Sequence, residues 1–362
     1  MAAVRSEATE YPPPKAAQAG KGRLEVVGGI PILHLCGTPE EMGRQQGLLL
    51  GKQFAILRDV YLERFFPGAV ERGGALVFGL GMVKFMPLDY VEEMKGLAEA
   101  SGVSRADVIF GNTFADTARA VFCSVAIASG EATSDGRLLF ARNLDFPSLD
   151  ILHKATVVTV YHQAREGRRS FLSVGWPGAV GVVSGMNDAG LCLATLVSMS
   201  QKGVQPGLPF AMMYRQVLER CATPQEALEL VRRTPRTSAN NLALAAPDHE
   251  PLVIEYTPAK VAVRRPTRGV LLATNHFRCP ELAPGAKPPC PRYATLDERT
   301  AAGKLDVASL KKLLHAVNQG DMTLQSMVFE PAARRLHLAT GVLPASSGKY
   351  VTLDCAKLLS GK

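Results

Sequence analysis

The stretch that decides the fold covers residues 122–145 and reads FCSVAIASGEATSDGRLLFARNLD. Its first half is rich in small and β-branched residues, which favour a strand. A Ser-Asp-Gly turn at residues 134–136 follows, and a second apolar run then ends at Arg142 and Asp145. The sequence therefore predicts a β-hairpin with the thiol of Cys123 at its head, and with a cation and a carboxylate returning beside that thiol.

Cys123 is a candidate nucleophile. The thiolate of cysteine attacks carbonyl carbons, and a neighbouring cation such as Arg142 is expected to lower the thiol pKa from its free value of about 8.5. Cutting the Phe122–Cys123 bond would also give Cys123 an α-amine, whose pKa of about 7.7–8.0 suits a base near neutral pH. Asp145 could accept a hydrogen bond from that amine. One residue would then supply both nucleophile and base.

The site also needs a donor for the oxyanion that forms when the thiol attacks a carbonyl. Asn275, at the end of a predicted strand over residues 270–274, is the candidate donor. Arg292 lies downstream on a predicted loop and is expected to bind a carboxylate or to support the site. His276 suggests a Cys–His dyad as an alternative, but the α-amine makes a separate base unnecessary, so we expect a packing role for it.

The predicted secondary structure changes from helices to strands at Cys123. Residues 1–22 are polar and proline-rich and are expected to form a disordered tail. Residues 23–122 read mainly as helices, because residues 38–41 form a capping box with proline at the first helical position and apolar residues then recur at helical spacing. Residues 123–362 carry short β-branched runs separated by turns, which predicts mostly antiparallel sheets. We predict one composite α+β domain.

Composition and charge argue against several classes of protein. The chain has 362 residues, of which 47% are hydrophobic and 20% charged, as in soluble globular proteins. The apolar stretch 73–86 is interrupted by glycines and Lys84 and is too short for stable membrane insertion. The net charge of +8 comes from scattered arginine pairs without interleaved aromatic residues, so no nucleic-acid partner is predicted.

The cysteines and the N-terminus suggest the compartment. Seven cysteines without a CxxC pair predict neither a zinc site nor a disulfide framework. No metal or organic cofactor is implied, and the expected partner is a small-molecule amide or acyl substrate. No secretory leader is recognisable, so reduced thiols and a cytoplasmic location are the expectation.

The candidate residues and their order resemble those of the cysteine N-terminal-nucleophile (Ntn) hydrolases. The matching segments are Cys123-Ser124, Arg142-Asn143-Leu144-Asp145, Thr274-Asn275-His276 and Pro291-Arg292-Tyr293. The family includes isopenicillin-N acyltransferase, acid ceramidase, N-acylethanolamine amidase and the bile-salt hydrolase/penicillin V acylase group. The segment GTPEEMGRQQG at residues 37–47 is most similar to the acyltransferase branch. The resemblance spans roughly residues 25–345.

The resemblance implies a four-layer αββα sandwich and a zymogen that cuts itself autocatalytically before the cysteine. Residues 23–122 would become a small subunit and residues 123–362 a large one, and the two fragments would stay associated. The site residues carried over are the nucleophile and base Cys123, the flanking Arg142 and Asp145, the oxyanion donor Asn275 and the supporting cation Arg292.

One departure from the family pattern leaves part of the site unassigned. Bile-salt hydrolases carry an asparagine on the strand after the Asn-x-x-Gly-Leu turn, where Val197 stands in this chain. The second oxyanion donor would then be a backbone N–H or another side chain.

Three functions stay open at this point. The first is an amidase or N-acyltransferase that cleaves a non-peptide C–N amide through a Cys123 thioester, with water or an amine as acceptor. The second is a lipid amidase of the acid-ceramidase type, which an apolar lining near Cys123 would favour. The third is a non-catalytic relative that acts as a binding protein, in which Cys123 is an inert buried thiol.

Overall fold

The computed structural model describes residues 10–117, 122–163, 165–198, 203–285 and 290–360. Its strands are β1 Ala17–Ala19, β2 Gly22–Val27, β3 Ile30–Cys36, β4 Phe122–Gly130, β5 Gly136–Asp145, β6 Val157–His162, β7 Phe171–Gly175, β8 Ser184–Asn187, β9 Cys192–Val197, β10 Asn240–Ala245, β11 Leu252–Tyr256, β12 Val261–Arg264, β13 Val270–Ala273, β14 Thr323–Glu330, β15 Arg335–Thr340 and β16 Val351–Asp354. Its α-helices are α1 Pro39–Ile56, α2 Glu63–Phe65, α3 Ala69–Met82, α4 Leu88–Ser101, α5 Arg105–Thr117, α6 Phe210–Arg220, α7 Pro224–Arg233, α8 Pro291–Ala301, α9 Val307–Ala316 and α10 Cys355–Ser360. The fold is α+β.

The local helix signals in the sequence are confirmed. The side chain of Thr38 accepts a hydrogen bond from the backbone of Glu41, and the Glu41 side chain accepts one from Thr38, so the capping box is complete at α1. Thr223 caps α7 in the same manner by accepting from the backbone of Glu226. Among the described residues, no helix combines the length and the apolarity that crossing a bilayer requires.

In the part of the chain that the structure describes, the larger sheet has ten strands in the order β1-β2-β3-β6-β7-β8-β9-β10-β11-β12. Within the described residues its ladders are antiparallel, apart from β3–β6, in which Ile32 pairs with Val158 in parallel. Three of its strands precede α1, so the expectation of a helical region before Cys123 is incomplete. Strand β3 enters this sheet by pairing with β6, which follows Cys123 in the sequence. Local sequence patterns do not predict such a long-range pairing.

Part of the predicted disordered tail is ordered. Within residues 10–22, strand β1 pairs with β2, and Ala17 lies opposite Leu24. Tyr11 is buried and joins the apolar core that also contains Ile30. The prediction therefore fails for this part of the tail, because tertiary contacts order a segment whose composition is polar. Residues 1–9 lie outside the described part of the chain.

Over the described ranges, the smaller sheet has six strands in the order β13-β4-β5-β14-β15-β16, and its ladders there are antiparallel. The predicted hairpin is confirmed, because β4 pairs with β5 and Cys123 lies opposite Leu144. Val125 and Ala126 of β4 belong to different apolar cores, as side chains alternate between the faces of a strand. Cys123 shares the face of Val125.

Apolar cores lie on both faces of each sheet. The core that contains Cys123 also includes Val160 of β6 and Leu196 of β9, so the cysteine faces the ten-stranded sheet. Helices α1, α4, α6 and α7 bury residues against the other face of that sheet, and α8 and α9 bury residues against β4 and β5. Burying one large apolar side chain contributes about 1.5–3 kcal/mol, so these cores fix the relative position of the strands around Cys123.

Residues 180–183 form a loop, although their sequence VGVV has the β-branched composition of a short strand. The N–H of Val182 donates to the carbonyl of Ala211 at 2.8 Å. A Cβ on Gly181 would lie 2.6 Å from the methyl group of Ala211, so only glycine allows the loop to approach α6 this closely. The loop backbone is therefore bound by α6 at Val182 and by β9 at Val183, whose carbonyl accepts from the N–H of Thr195 at 3.0 Å, and β8 begins only at Ser184.

Candidate active site

Cys123 lies between the sheets, and its side chain is 0% exposed. Nη2 of Arg142 donates to Sγ of Cys123 at 3.2 Å. Burial nevertheless raises the pKa of the Cys123 thiol, and the charge of Arg142 opposes this effect without overcoming it. The expectation of a lowered cysteine pKa is therefore wrong for the intact chain. Because burial penalises the thiolate, the thiol needs a base to become a nucleophile.

Arg142 is fully buried and is held by groups of the opposite sheet. Its Nη1 donates to the carbonyl of Val183 at 2.6 Å and also to Oγ of Ser184. These bonds cross from β5 to the start of β8 and leave Nη2 for the sulfur of Cys123. A buried guanidinium needs such partners, because an unpaired charge is costly in an apolar interior. Val183 and Ser184 were not identified from the sequence.

Asn275 lies two residues beyond the end of β13 and contacts the backbone of the candidate nucleophile. The N–H of Cys123 donates to Oδ1 of Asn275 at 2.7 Å, and Nδ2 of Asn275 donates to the carbonyl of Val197 at 2.8 Å. The amide oxygen faces Cys123, so Asn275 acts here as an acceptor for the cysteine nitrogen. In the intact chain the amide nitrogen of Asn275 binds Val197, and the role of Asn275 as oxyanion donor stays a prediction.

Asp145 is buried at the end of β5. Its Oδ1 accepts a hydrogen bond from Oγ1 of Thr323 at 2.7 Å, and its Oδ2 lies 3.7 Å from Nη1 of Arg292. Burial raises the pKa of Asp145 to about 6, against the hydrogen bond from Thr323 and the charges of Arg292 and Arg142. The carboxyl group is therefore poised to change its charge in mildly acidic solution.

Arg292 connects three parts of the site. Its Nη1 donates to the carbonyl of Cys123, and its Nη2 donates to Oδ1 of Asn275 at 3.1 Å. It is the second residue of helix α8 and not a loop residue as predicted, since Pro291 begins the helix. The five predicted site residues thus lie in one cluster, joined by hydrogen bonds and ion pairs.

His276 takes no part in the contacts of the thiol. In the described part of the chain no hydrogen bond joins its ring to Cys123, and burial lowers the pKa of His276. Its carbonyl accepts a hydrogen bond from Nδ2 of Asn241 at 3.1 Å, and the same nitrogen donates to the carbonyl of Thr274 at 2.8 Å. Asn241 therefore holds the backbone on both sides of Asn275.

Sequence reasoning missed Asn241 and Thr323. Asn241 is fully buried in β10, and Thr323 is fully buried at the start of β14. The available signal was the Asn-Asn pair directly before an apolar strand, because a buried amide in a strand needs specific partners. Thr323 carries no comparable signal, since threonine is common in exposed strands.

A cavity of about 140 Å³ adjoins the cluster. Leu144, Val183 and Val197 belong to its wall and also border the cluster: Leu144 pairs with Cys123, and the other two accept hydrogen bonds from Arg142 and Asn275. The remaining wall is mainly aromatic and aliphatic, with Phe54, Leu57, Tyr61, Phe114, Phe146 and Trp176 among its residues. The stretch 73–86 does not line it.

Comparison with known proteins supplies the family. The model of the family described as acyl-coenzyme A:6-aminopenicillanic acid acyl-transferase matches residues 132–341. The matched range contains Arg142, Asp145, Asn275 and Arg292, and it begins after Cys123.

Individual relatives are distant. The protein dcd1B of Dictyostelium discoideum is 27% identical over 259 residues, which are 64% of this chain and 51% of the relative. An N-acylethanolamine-hydrolyzing acid amidase of Cavia porcellus is 29% identical over 106 residues, which are 29% of this chain and 28% of that protein. The structure of a Caenorhabditis elegans ortholog of that amidase has a TM-score of 0.47 and 20% identity, and the match covers 58% of this chain and 93% of that one. The chain thus spans about half the length of the first curated relative.

Proposed function

Because the chain belongs to the acyl-coenzyme A:6-aminopenicillanic acid acyl-transferase family, we propose that it is a cysteine amidohydrolase or acyltransferase that cleaves a non-peptide C–N amide. The observation that carries the proposal is that the sulfur and the backbone nitrogen of Cys123 each have a polar partner. Sγ of Cys123 accepts from Arg142 at 3.2 Å, while the nitrogen of Cys123 donates to Asn275 at 2.7 Å. The sulfur and the nitrogen of Cys123 are each held by a separate polar group in a buried site, as a combined nucleophile and base requires.

The first step forms an acyl-enzyme. The free α-amine of Cys123 accepts the proton of its own Sγ while Sγ bonds to the amide carbon of the substrate. The carbonyl oxygen carries the negative charge of the tetrahedral intermediate. The C–N bond then breaks, and the ammonium of Cys123 returns the proton to the leaving nitrogen. The products are a free amine and a thioester on Cys123.

The second step releases the acyl group. Water or an acceptor amine attacks the thioester carbon, and the α-amine of Cys123 accepts the proton of the attacking group. The C–S bond breaks and Sγ recovers the proton, so a carboxylic acid or a new amide leaves. Arg142 stabilises the departing thiolate, because a guanidinium 3.2 Å away favours the charged form of the sulfur.

The free amine has to be generated from the intact chain. We propose that the thiol of Cys123 attacks the carbonyl carbon of Phe122, that the bond to the nitrogen of Cys123 breaks, and that water hydrolyses the resulting thioester. A carboxylate then remains on Phe122 and an amine on Cys123. The full burial of the Cys123 side chain supports this order of events, since no substrate reaches that sulfur before the chain is opened.

The proposal extends to the architecture. We infer the four-layer αββα arrangement of the Ntn hydrolases, with both sheets mostly antiparallel. The support is that one core lies between the sheets while helices bury apolar residues against the outer face of each. Residues 23–122 would form the small subunit and residues 123–362 the large one.

The cavity favours a lipid-like acyl group, which is the second candidate function. Its wall is mainly apolar, and it adjoins the cluster at Leu144, Val183 and Val197. An apolar group gains about 0.8 kcal/mol for each CH₂ that it buries, so such a wall selects apolar acyl groups over polar ones. A stretch of 106 residues is 29% identical to an N-acylethanolamine-hydrolyzing acid amidase, which agrees with a lipid-like acyl group.

Intact-mass analysis tests the proposal. Purified wild-type protein is expected to give two fragments of about 13 and about 26 kDa, in proportion to length from the 38.8 kDa chain, with the larger one starting at Cys123. Cys123→Ala is expected to stay whole. Cys192→Ala is the matched control, because Cys192 is an equally buried thiol outside the cluster and its loss should leave cleavage intact.

A wild-type chain that stays whole after prolonged incubation would remove the α-amine from the mechanism. It would favour the third function, a non-catalytic binding protein, provided that acyl electrophiles also fail to react with Cys123.

A further inference from the structure

Two of the buried polar side chains of helix α5, Asn112 and Asp116, lie one turn apart, and neither takes part in the proposed chemistry. Asn112 is 9% exposed and Asp116 is 4% exposed. Their spacing of four residues puts both on the same face of the helix. That face meets the cavity, because Gly111, Asn112 and Ala115 all belong to its wall.

Asn112 holds the loop that forms one side of the cavity. Its Nδ2 donates to the carbonyl of Gly178 at 2.9 Å, and its Oδ1 accepts from the N–H of Val180 at 2.7 Å. The N–H of Gly178 in turn donates to Oε1 of Gln46 at 2.7 Å. Side chains from α1 and α5 therefore satisfy the backbone of the first part of this loop, at Gly178 and Val180. Asn112 makes two of these bonds.

The first part of this loop borders the cavity, whereas its end at Val183 is held separately by the N–H of Thr195 in β9 at 3.0 Å. Trp176 and Gly178 line the cavity, and Val183, at the end of the same loop, accepts the hydrogen bond from Arg142. Gly178 has a positive φ of 86°, and a Cβ there would lie 2.2 Å from the ring of Phe54. The loop thus has little space in which to shift, and the hydrogen bonds with Asn112 fix the position of Trp176 in the cavity wall.

Asp116 fixes a second side of the cavity. Its Oδ1 accepts from the N–H of Phe210 at 3.2 Å and from Oγ1 of Thr237. Phe210 begins α6, and a carboxylate at a helix N-terminus satisfies an otherwise unpaired N–H group and interacts favourably with the helix dipole. Phe210 and Ala211 both line the cavity.

We propose that Asn112 and Asp116 are specificity-determining positioning residues, which set the shape of the acyl-binding cavity by holding the loop 176–183 and the start of α6. The inference rests on the proposed function for the identity of the ligand. Both residues precede Cys123, so the N-terminal fragment would remain part of the substrate site after cleavage and would not be a discarded propeptide.

The chain carries its own probe of the cavity wall. It contains one tryptophan, Trp176, whose indole Nε1 donates to the carbonyl of Leu152 at 3.2 Å and which lines the cavity. Its emission maximum and its quenching by acrylamide can be measured without any turnover. A change at Trp176 therefore reports on the wall of the cavity even if the chemistry of the enzyme is different from that proposed.

The variants are Asn112→Ala, Asp116→Ala and Asp116→Asn. Because burial raises the pKa of Asp116 to about 7, the carboxyl group is about half protonated near neutral pH, and Asp116→Asn keeps an acceptor for the N–H of Phe210. It should therefore rescue most of the effect of Asp116→Ala. Asp107→Ala is the matched control, since Asp107 lies on the same helix and its side chain interacts with Ser104 outside the cavity.

The first measurement is acrylamide quenching of Trp176 in variants whose circular dichroism matches that of the wild type. Asn112→Ala is expected to increase the quenching constant about twofold or more, because a loosened loop exposes the indole.

The second measurement is the KM for amides whose acyl chains range from butanoyl to hexadecanoyl. Asn112→Ala and Asp116→Ala are expected to raise KM for the preferred chain by about tenfold with little change in kcat, as for lost ground-state binding.

The two kinds of failure can be told apart. If the wild type turns over none of the amides, the proposed function fails, while the quenching of Trp176 still tests the positioning role. If Asn112→Ala leaves both the quenching and the chain-length preference of KM unchanged, the inference is overturned. A fall in kcat that is equal for all chain lengths would also overturn it, since that pattern indicates a general structural role.

Discussion

At the scale of the residue, the site depends on how burial and charge compete. Burial raises the pKa of the Cys123 thiol and of the Asp145 carboxyl, although Arg142 lies close to both. The net result keeps the sulfur protonated in the intact chain. Arg142 therefore contributes more to stabilising charge that develops during attack than to creating a resting thiolate.

Replacing Arg142 tests this role. Arg142→Gln is expected to slow acylation of Cys123 by about 10²-fold, the usual cost of removing one preorganised electrostatic donor. Arg142→Lys should recover only part of the rate, because an ammonium cannot bond Val183, Ser184 and Cys123 with one fork. Acylation is measured by rapid-quench mass spectrometry. Arg137→Gln is the control on the same strand, as Arg137 is exposed, and an equal loss there would refute the assignment.

The raised pKa of Asp145 determines how its contribution to the stability of the fold changes with pH. Its pKa is raised to about 6 in the folded protein, so the folded state binds a proton more tightly than the unfolded state between roughly pH 4 and pH 6. Its contribution to stability is full below pH 4 and is lost as the pH rises through 6. The loss amounts to at most about 3 kcal/mol.

Denaturant unfolding of wild type and Asp145→Asn across this pH range checks the prediction. The stability of the wild type relative to the variant is expected to decrease from pH 4 to pH 7. A relative stability that increases with pH would show that the pKa of Asp145 is lowered instead.

At the scale of the element, the end of β13 is attached to the opposite sheet. Asn241 of β10 donates to the carbonyls of Thr274 and His276, and Asn275 donates to the carbonyl of Val197 in β9. These bonds place the acceptor for the nitrogen of Cys123 between the sheets. A short strand of four residues gains its position from these contacts rather than from its own ladder alone.

Asn241→Ala is expected to lower kcat by about tenfold with a small change in KM, because it displaces Asn275 without contacting substrate. Leaving two buried carbonyls without donors should also cost about 1–3 kcal/mol of stability. Steady-state kinetics and denaturant unfolding measure the two effects. Asn187→Ala is the control: the Asn187 amide makes four backbone hydrogen bonds at a turn away from the cluster, so stability should fall while kcat is retained.

At the scale of the whole molecule, the residues before and after Cys123 form one structure. Strands β1–β3 extend the larger sheet through the parallel pairing of β3 with β6, and α1 and α5 supply part of the cavity wall. The division into two subunits that we propose would therefore cut the chain without separating its cores.

After cleavage, the two fragments are expected to elute together from a gel-filtration column at the mass of the whole chain. The reason is that separating them would expose the β3 edge and the apolar cores, whose burial contributes about 25 cal/mol per Å². Elution in denaturant, where two peaks of about 13 and about 26 kDa should appear, is the control for complete cleavage. A small fragment that elutes alone in native buffer would contradict the prediction.

The sequence by itself determined what depends on neighbouring residues. The hairpin β4–β5, the cap of α1, and the identity of Cys123, Arg142, Asp145, Asn275 and Arg292 as candidates follow from local patterns and from the family resemblance. The tertiary structure alone decided the strands before α1, the orientation of the Asn275 amide, the raised pKa of Cys123 and the cavity wall held by Asn112 and Asp116. Each of these depends on partners that are distant in sequence, and on burial, which appears only when the two sheets and the helices pack together.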